Sequence, residues 1–572
     1  MVAAAPTEVG ERSRGDRNSR ARTGWTASAA YVLGALAAAW PLPLHVVDRI
    51  AIGTEQTSTV PLFNLWSLRW NADRLGHLYA DYWQAPIFHP ARGAFAFSEP
   101  QPLTGLAFAP LHWLTGNQTL AYNLVLLGAL VLNGWAAARL CRRFGADPVV
   151  AVLAGLAVQR LPFVLDQLGV LQLVMVWPVL LTVDAALGWS DHGGRRRAAT
   201  VAVGLAATFA TCTYYGLFLV VVLVVLAPFV IRRSWFERRR LGDGLLGLGL
   251  FALYAVPLLV GQQHWLAGFS WTNETIRSNS AAWGEYLRLP ERSLGAKLLP
   301  WVGGSSVTGE RLYPGTVFLV LAALGTWWTV GRDPVRDSTV TPRPRWVWFL
   351  VTAIGVSGLL SLGLRLHLGG WEPYQAVRSV VPAFDRLRSP FRVAAVVQLF
   401  VVVLAAVGIG RIVRRPGFGR PAAVFLVLVA LAEVAGGGTG LARVPPESTS
   451  WTRYLASQPG RQAVAMIPFA PGPKVAQFEP TARAMLLGLG HDKPLVNGYS
   501  GFFPASYDRL AAQVEAFPDA GALPTLQDAG VRWVVVDDGW AGAGRQGDID
   551  ASRGLVKRFH GAGQTVYELS PP

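Results

Sequence analysis

Cysteine is almost absent from this sequence of 572 residues, which contains only two. Cys141 lies at the end of an apolar segment and Cys212 lies inside another, and neither has a partner at a plausible spacing. We therefore expect neither a disulfide nor a metal site built on sulfur.

Motifs that bind nucleotides are also missing. The sequence has no glycine-rich phosphate loop, no His/Cys spacing typical of a metal site and no dinucleotide-binding fingerprint. No nucleotide cofactor is expected, and energy from cytoplasmic nucleotides is not expected either. A divalent metal bound by other ligands stays open.

Charged residues are scarce. They make up 15% of the chain, whereas ordinary soluble domains contain about 25%. Hydrophobic residues make up 52%, and the mean hydropathy is +0.34. Apolar runs of about 18–22 residues, each long enough to cross a bilayer as a helix, recur from Trp25 to Gly438. The composition indicates a polytopic membrane protein in contact with membrane lipids.

Lysine is rare among the basic residues, although the net charge is +16. Arginine dominates, which is typical of a high-GC bacterial genome. The arginines cluster at the ends of apolar runs, as at Arg139, Arg142 and Arg143, and form no stripe on a soluble domain. This pattern follows the positive-inside rule and argues against a nucleic-acid partner.

About eleven apolar spans separate short, arginine-rich loops from three long loops. By the positive-inside rule the N-terminus is cytoplasmic, and the long loops and C-terminal part are extracytoplasmic. The predicted fold is a mainly α, polytopic helix bundle in a bacterial plasma membrane, with a C-terminal extracytoplasmic α/β domain. The predicted regions are a disordered basic tail (1–24), a transmembrane domain (25–438) with outer loops 46–104, 262–312 and 365–390, and the outer domain (441–572).

Within the C-terminal region, the segments 462–469, 531–536 and 564–569 have the short apolar pattern of buried strands. The segments 481–487 and 506–517 are predicted helices. Turns rich in Gly, Pro and Asp separate them, as in a small α/β domain.

Three acids in the first long loop are candidate catalytic residues. Asp48 and Glu55 closely follow the first span, and Glu99 directly precedes the return of the chain to the membrane. A carboxylate at the mouth of a helix bundle is able to act as general base on an acceptor hydroxyl, with a pKa raised by partial burial. The alternative is that each is an ordinary solvated loop acid.

Arginines form a second candidate cluster. Arg386, Arg388 and Arg392 surround Ser389-Pro390-Phe391 at the outer end of a span. Arg160 is expected at a similar depth. The planar guanidinium fork suits phosphate, so this cluster is a candidate site for a lipid-linked phosphate, with Gln167 lining the same cavity. The alternative is that these side chains snorkel to lipid headgroups.

The layout and several short motifs resemble the GT-C superfamily, and within it a group of uncharacterised bacterial members. GT-C proteins are membrane glycosyltransferases that take sugars from polyprenyl-phosphate donors outside the cytoplasm. The matching stretches are Val60–Trp66 with Trp70-Asn71, Phe88-His89-Pro90 with Ser98-Glu99, Arg388–Arg392, and His491–Tyr499 with Phe503-Pro504 and Tyr507. Within these stretches we assign Asn64, Trp66 and His89 to substrate binding.

The resemblance implies a catalytic acid in the first outer loop, a lipid-linked sugar donor, and an envelope glycan or a protein as acceptor. Relatives tend to carry Asp directly before the Pro61–Trp66 stretch, where this chain has Val60. The catalytic role then falls to Glu55, Asp48 or Glu99, or activity is lost. The alternative function is that of a catalytically inactive member in envelope glycopolymer assembly or export. A transporter is less favoured, because the sequence shows no convincing internal repeat.

Overall fold

The structure, a computed structural model, describes residues 25–230, 237–290, 293–298, 303–304, 306–330, 344–381, 383–436, 438–519 and 521–570. The predicted basic tail (1–24) and the basic segments 231–236 and 331–343 lie outside the described residues.

The first part of the chain forms one apolar helix and the elements of the first long loop. These are α1 (Trp25–Ala38), β1 (Arg49–Gly53), α2 (Thr59–Gly76) and α3 (Pro102–Thr115). Helix α1 ends earlier than the apolar run that extends to Val46, because the prolines at 41 and 43 are incompatible with a regular helix interior. Helix α3 exposes Leu106 and Leu114, as expected of a segment at a membrane interface.

The bundle follows. Its helices are α4 (Gln118–Arg143), α5 (Pro148–Gln159), α6 (Pro162–Asp166), α7 (Leu171–Val174), α8 (Trp177–His192), α9 (Arg195–Thr211), α10 (Thr213–Val230), α11 (Arg238–Ala255), α12 (Gly261–Trp265), α13 (Asn273–Ser278), α14 (Leu294–Leu298), α15 (Thr316–Val330), α16 (Pro344–Ser361), α17 (Pro373–Val380), α18 (Ala394–Val413) and α19 (Gly419–Val434). Two short paired strands, β2 (Leu289–Pro290) and β3 (Gly303–Gly304), lie between α13 and α15.

Helices of membrane-crossing size account for most of the bundle. Among the described residues, seven helical segments are long and apolar enough to cross a membrane by length and composition, and α1 and α15 are shorter apolar helices. With α9 and α19, every apolar span predicted from the sequence contains a helix. The apolar stretch that begins at Ala198 divides at Cys212 into α9 and α10.

Helix α18 is the centre of the bundle. All its residues from Ala394 to Ile409 are buried, as expected for a helix that is apolar on every side. Helix α15 packs against it at close range, because a Cβ atom added at Gly325 would lie 2.7 Å from the carbonyl oxygen of Leu404. Small residues allow two membrane helices to approach in this way.

The first long loop contains a helix that the sequence did not reveal. Helix α2 has 18 residues, and most of them are buried. Its two buried asparagines form hydrogen bonds inside the protein: Asn64 Nδ2 donates to Val60 O at 3.2 Å, and Asn71 Nδ2 donates to Pro100 O at 2.7 Å. The sequence predicted a long loop between spans here but no helix within it, because buried asparagines interrupt the apolar pattern that marks a helix.

The C-terminal part forms an α/β unit around one sheet. Its elements are β4 (Gly440–Arg443), α20 (Ser450–Ser457), β5 (Ala463–Ile467), α21 (Glu479–Gly488), α22 (Ala505–Val514), α23 (Ala522–Asp528), β6 (Val531–Asp537), α24 (Asp538–Ala551), β7 (Leu555–Gly561) and β8 (Gln564–Leu569). The sheet order is β5-β6-β8-β7, with β5 and β6 parallel and the other pairs antiparallel. The three predicted strands and two predicted helices are present.

The first loop and the C-terminal part are joined by backbone and side-chain contacts. Strand β1 pairs antiparallel with β4, which directly follows the last bundle helix. The side chain of Ser58 donates to Glu479 Oε1 at 2.8 Å, and Arg483 donates to the same oxygen at 2.7 Å. Both regions therefore lie at one end of the bundle, where they form the walls of the site described next.

Candidate active site

A cavity of about 190 Å³ lies between the bundle, the first loop and the C-terminal part. Its walls come from several stretches that are far apart in sequence. Among the residues that line it are Glu55, Val60, Asn64, Glu99, Gln172, Tyr214, Gln262, Gln263, Trp271, Arg386, Arg388, Arg392 and Tyr499. Acids of the first loop and arginines that precede α18 thus face one space.

Glu99 is held by the start of helix α10. The backbone N–H of Tyr214 donates to Glu99 Oε1 at 3.2 Å, since the first N–H groups of a helix have no partner within the helix. Burial raises the pKa of Glu99, while Arg392 and the backbone N–H groups act to lower it. The second oxygen, Oε2, is buried and has no hydrogen-bond partner within the described part of the chain. Such an atom is a ready acceptor for a ligand hydroxyl.

Glu55 follows β1 and lies opposite the arginines. Its backbone N–H donates to Ile52 O at 3.0 Å, which fixes the turn that presents the side chain. Burial raises the pKa of the carboxyl group, and the charges of Arg392 and Arg388 oppose that rise. No hydrogen bond or ion pair of this carboxylate occurs with any other described residue. Glu55 is therefore free to accept a proton from a bound molecule.

The arginines are oriented by aromatic rings. The guanidinium carbon of Arg388 lies 5.3 Å from the ring centre of Trp271, and that of Arg392 lies 4.6 Å from the ring centre of Tyr214. Arg386 donates to Gln263 Oε1. Within the described ranges, neither Arg388 nor Arg392 has a carboxylate oxygen within 4 Å, so their donors remain available to an anionic group.

Glu310 is a further acid of this region that the sequence did not single out. Gln167 donates a side-chain hydrogen bond to it, and Thr54 Oγ1 lies 3.5 Å from Glu310 Oε2. Burial raises the pKa of Glu310 to about 8, with Asp166 and Glu55 adding to the rise. No local signal distinguishes Glu310 from other loop acids, because the groups that surround it come from distant segments.

Asp166 has a different environment, although it lies next to Glu310. Arg311 donates to both of its oxygens, from the backbone N–H at 2.7 Å and from Nε at 2.5 Å. This buried ion pair fixes the loop that carries Glu310, and we assign Asp166 a structural role.

The other predicted site residues lie outside the cavity lining. Asp48 is half-exposed and lies 3.9 Å from Arg49. Trp66 is buried and stacks on Phe63. Arg160 caps the C-terminus of α5. Gln167 is near the cavity only through its hydrogen bond to Glu310. His89 faces Gly530 of the C-terminal part. The cavity gathers Glu55, Glu99, Asn64, Arg386, Arg388 and Arg392 from the predicted set.

Val60 lines the cavity beside these acids. Val60 stands where the resembling GT-C proteins tend to carry an aspartate, and this position faces the same space as Glu55 and Glu99. Among the residues that the structure describes, no group of three or more His, Cys, Asp or Glu side chains is arranged to hold a metal ion.

The arrangement of helices, loops and C-terminal sheet defines the class of protein: an integral-membrane protein with the fold of the GT-C glycosyltransferases. The chain belongs to the family DUF6311, described as a domain of unknown function, whose model matches residues 78–435. No curated protein matches the chain.

Several solved structures are similar to this chain. Arabinofuranosyltransferase AftD from Mycobacteria is similar over 96% of this chain and 40% of its own, with 17% identity and a TM-score of 0.58. A mutant of AftD from Mycobacteria is similar over 100% of this chain and 42% of its own, with 16% identity and a TM-score of 0.59. ArnT from Cupriavidus metallidurans bound to undecaprenyl phosphate is 13% identical over 96% of this chain and 99% of its own, with a TM-score of 0.47. The chain spans about two fifths of the length of the AftD structures.

Proposed function

We propose that the protein is a membrane glycosyltransferase that transfers a sugar from a polyprenyl-phosphate donor to an acceptor at the outer face of the plasma membrane. The observation that carries this proposal is the single cavity in which Glu55 and Glu99 face Arg388 and Arg392. Transfer from a lipid-linked phosphate needs a base for the acceptor and cations for the leaving group, and this cavity contains both.

Glu55 is the proposed general base. It accepts the proton of the acceptor hydroxyl as the acceptor oxygen bonds to the anomeric carbon of the donor sugar. The bond between that carbon and the phosphate oxygen breaks, and the polyprenyl phosphate leaves with the bonding electron pair. Positioned general bases contribute about 10²- to 10⁴-fold to rates. The free carboxylate of Glu55, close to Arg388 and Arg392, fits this role.

Arg388 and Arg392 are the proposed phosphate ligands. Negative charge grows on the phosphate as the sugar leaves, and preorganised cationic donors stabilise that charge in a water-poor site. Their contacts with Trp271 and Tyr214 hold the guanidinium groups in place before the donor binds. Glu99, anchored by Tyr214, offers its unpartnered oxygen to a sugar hydroxyl.

The extracytoplasmic location of the cavity is supported by the distribution of basic residues. The long loops and the C-terminal part supply the cavity walls, while short arginine-rich loops connect the other ends of the helices. The positive-inside rule assigns the arginine-rich loops to the cytoplasm.

A second candidate function is that of an inactive GT-C protein in the assembly or export of an envelope glycopolymer. The observation in its favour is Val60, an apolar residue on the cavity wall. The resembling GT-C proteins tend to carry an aspartate at this position. In that case the cavity binds a lipid-linked sugar without transferring it.

The two functions are separated by a transfer assay with the full-length protein in nanodiscs. The donors are polyprenyl-phosphate pentoses and hexoses, the acceptors are bacterial envelope glycans, and the products are identified by mass spectrometry. We expect transfer by the wild type, a loss of about 10²- to 10⁴-fold in Glu55→Gln, and unchanged transfer in Asp48→Asn, whose side chain lies outside the cavity. Full transfer by Glu55→Gln would remove the proposed base. Donor binding without transfer by the wild type would favour the inactive alternative.

A further inference from the structure

A second and larger cavity, of about 1020 Å³, lies beside the candidate active site. Helix α12 contributes to both cavities: Gln262 and Gln263 line the active-site cavity, and Trp265 lines the second. We call the second cavity the polar groove. Its walls come from α2, the segment 77–92 that follows α2, the end of α3, α12 and the C-terminal part. They include Arg69, Trp70, Asp73, Arg74, Asp81, Arg92, Trp113, Trp265, Arg461 and Asp492.

The charges of the polar groove are largely neutralised within the protein. Arg74 pairs with Asp73, and Arg461 pairs with Asp492 at 3.0 Å. Arg69 lies 3.0 Å from Glu447, which stands behind the groove wall. A site for phosphate or another anion needs an excess of unpaired cations, and the described residues of the groove provide no such excess. The groove instead offers hydrogen-bond donors and acceptors side by side.

Two charged side chains of the groove are without partners. Arg92 and Asp81 form no side-chain hydrogen bond or ion pair with any residue in the described ranges. One supplies several donors and the other supplies two acceptor oxygens. Together they match a ligand whose groups both donate and accept, as hydroxyl groups do.

The turn that carries Asp81 is fixed in a strained conformation. Leu78, Tyr79 and Asp81 have positive φ angles of 53°, 60° and 52°, which residues other than glycine rarely adopt. The Tyr79 N–H donates to Arg74 O at 2.7 Å, and Arg74 Nη1 donates to Ala80 O at 3.0 Å. Strain of this kind persists where the surroundings fix it, and it is frequent at ligand sites.

Tryptophan rings supply the apolar part of the groove. Trp265 packs against Gly93, where an added Cβ would lie 2.3 Å from the ring, so this position favours glycine. The side chain of Trp113 is 57% exposed. Aromatic rings beside a few placed polar groups are typical of small-molecule sites, and a sugar ring presents apolar C–H faces between its hydroxyl groups.

We propose that the polar groove binds a neutral oligosaccharide, whose C–H faces pack on Trp265 and Trp113 and whose hydroxyls bond to Arg92 and Asp81. Ligand sites in proteins have volumes of about 300–1000 Å³. The volume of the groove lies at the upper end of this range and suits several sugar units. Because α12 lines both the groove and the active-site cavity, the oligosaccharide is the non-reacting part of a glycan acceptor. This acceptor role rests on the proposed function, whereas binding itself does not.

The test measures binding of neutral hexasaccharides of glucose, mannose and arabinose to the full-length protein in nanodiscs by isothermal titration calorimetry. Dioctanoyl phosphatidylglycerol is the anionic probe. We expect one of the neutral sugars to bind, and Arg92→Ala, Asp81→Asn and Trp113→Ala each to weaken binding by about tenfold. All three side chains lie at the groove surface, so the variants are expected to fold. Arg509→Ala, an exposed arginine outside the groove, is the matched control and should bind as the wild type does.

Three outcomes overturn the proposal: no hexasaccharide binds, all groove variants bind as the wild type does, or phosphatidylglycerol competes with the sugar. Glu55→Gln distinguishes this proposal from the proposed function. Since Glu55 lies outside the groove, the variant should retain sugar binding even though transfer is lost.

Discussion

The guanidinium carbon of Arg392 lies 4.6 Å from the ring centre of Tyr214, and the backbone N–H of Tyr214 holds the carboxylate of Glu99. The Tyr214 hydroxyl also accepts the backbone N–H of Arg388 at 3.0 Å. One tyrosine at the start of α10 thus positions a candidate acid and both candidate phosphate ligands.

Substitutions of Tyr214 should separate these contacts. Tyr214→Phe keeps the ring under Arg392 and loses the hydroxyl, so we expect a fall in transfer of only several-fold. Tyr214→Ala also loses the cation–π contact, which contributes about 0.5–2 kcal/mol, and a further fall is expected. Steady-state kinetics with the lipid-linked donor measure both variants. Equal rates for Phe and Ala would show that the ring does not orient Arg392.

The charge of Arg388 should set the pH at which Glu55 loses its proton. Burial raises the pKa of Glu55, and Arg388 and Arg392 lower it. A base must be ionised, so transfer should fall as the pH drops through the pKa of Glu55. Arg388→Gln removes a positive charge that favours the carboxylate, and the acidic limb of the pH–rate profile should move to higher pH. The rate is measured from pH 4.5 to 8, with Arg509→Ala as control. A limb that stays in place would exclude Glu55 as the titrating base.

Glu310 should make the protein less stable at alkaline pH. Burial raises its pKa to about 8 in the folded state, so between the ordinary glutamate pKa and that value the folded state binds more protons than the unfolded state. Stability is therefore fully present at low pH and declines as the pH rises toward 8. Glu310→Gln should raise the melting temperature at pH 8 relative to wild type and change it little at pH 5. The rise should be modest because Glu310 is partly exposed.

Thermal unfolding in nanodiscs at the two pH values measures this difference. Glu274→Gln is the matched control, since Glu274 lies in the same long loop but is exposed. An equal shift at both pH values would indicate a packing effect instead of titration.

The contact between Ser58 and Glu479 should hold the first loop against the C-terminal part. Although burial raises the pKa of Glu479, hydrogen bonds from Arg483 and Ser58 bring it below its ordinary value. The contact should therefore stabilise the fold above that ordinary value and weaken as the pH falls through the lowered pKa. Glu479→Gln should reduce stability by about 1 kcal/mol, since the pair is partly exposed. Hydrogen exchange of residues 54–58 should be faster in the variant, while exchange in α18 should be unchanged.

The bundle could be predicted from the sequence because a lipid environment requires continuous apolar runs of about 20 residues. Helix α2 could not, because Asn64 and Asn71 are buried through hydrogen bonds that depend on the tertiary fold. Strand β7 was also missed, since its central residues Val556 to Arg558 are exposed and largely charged. The pattern of apolar and polar residues predicts an element only when one face, or the whole, of that element is uniformly apolar.

The candidate site was accessible to the same reasoning only in part. Glu55, Glu99 and Arg392 were identifiable because ionisable residues are rare near membrane spans. Glu310 was not, because its raised pKa depends on Asp166 and Gln167 from a distant segment. Tyr214 was not either, since nothing in its local sequence shows that it contacts two arginines.

The pairing of β1 with β4 has a consequence for biosynthesis. The turn that presents Glu55 is completed by a strand that the ribosome makes only after every bundle helix, and Gly53 donates to Thr439 across that junction at 3.1 Å. Domains commonly begin to fold during synthesis, but this pocket has to wait for the last part of the chain. A ribosome stalled before residue 440 would leave an inserted but unfinished protein, in which the turn that carries Glu55 lacks its partner strand.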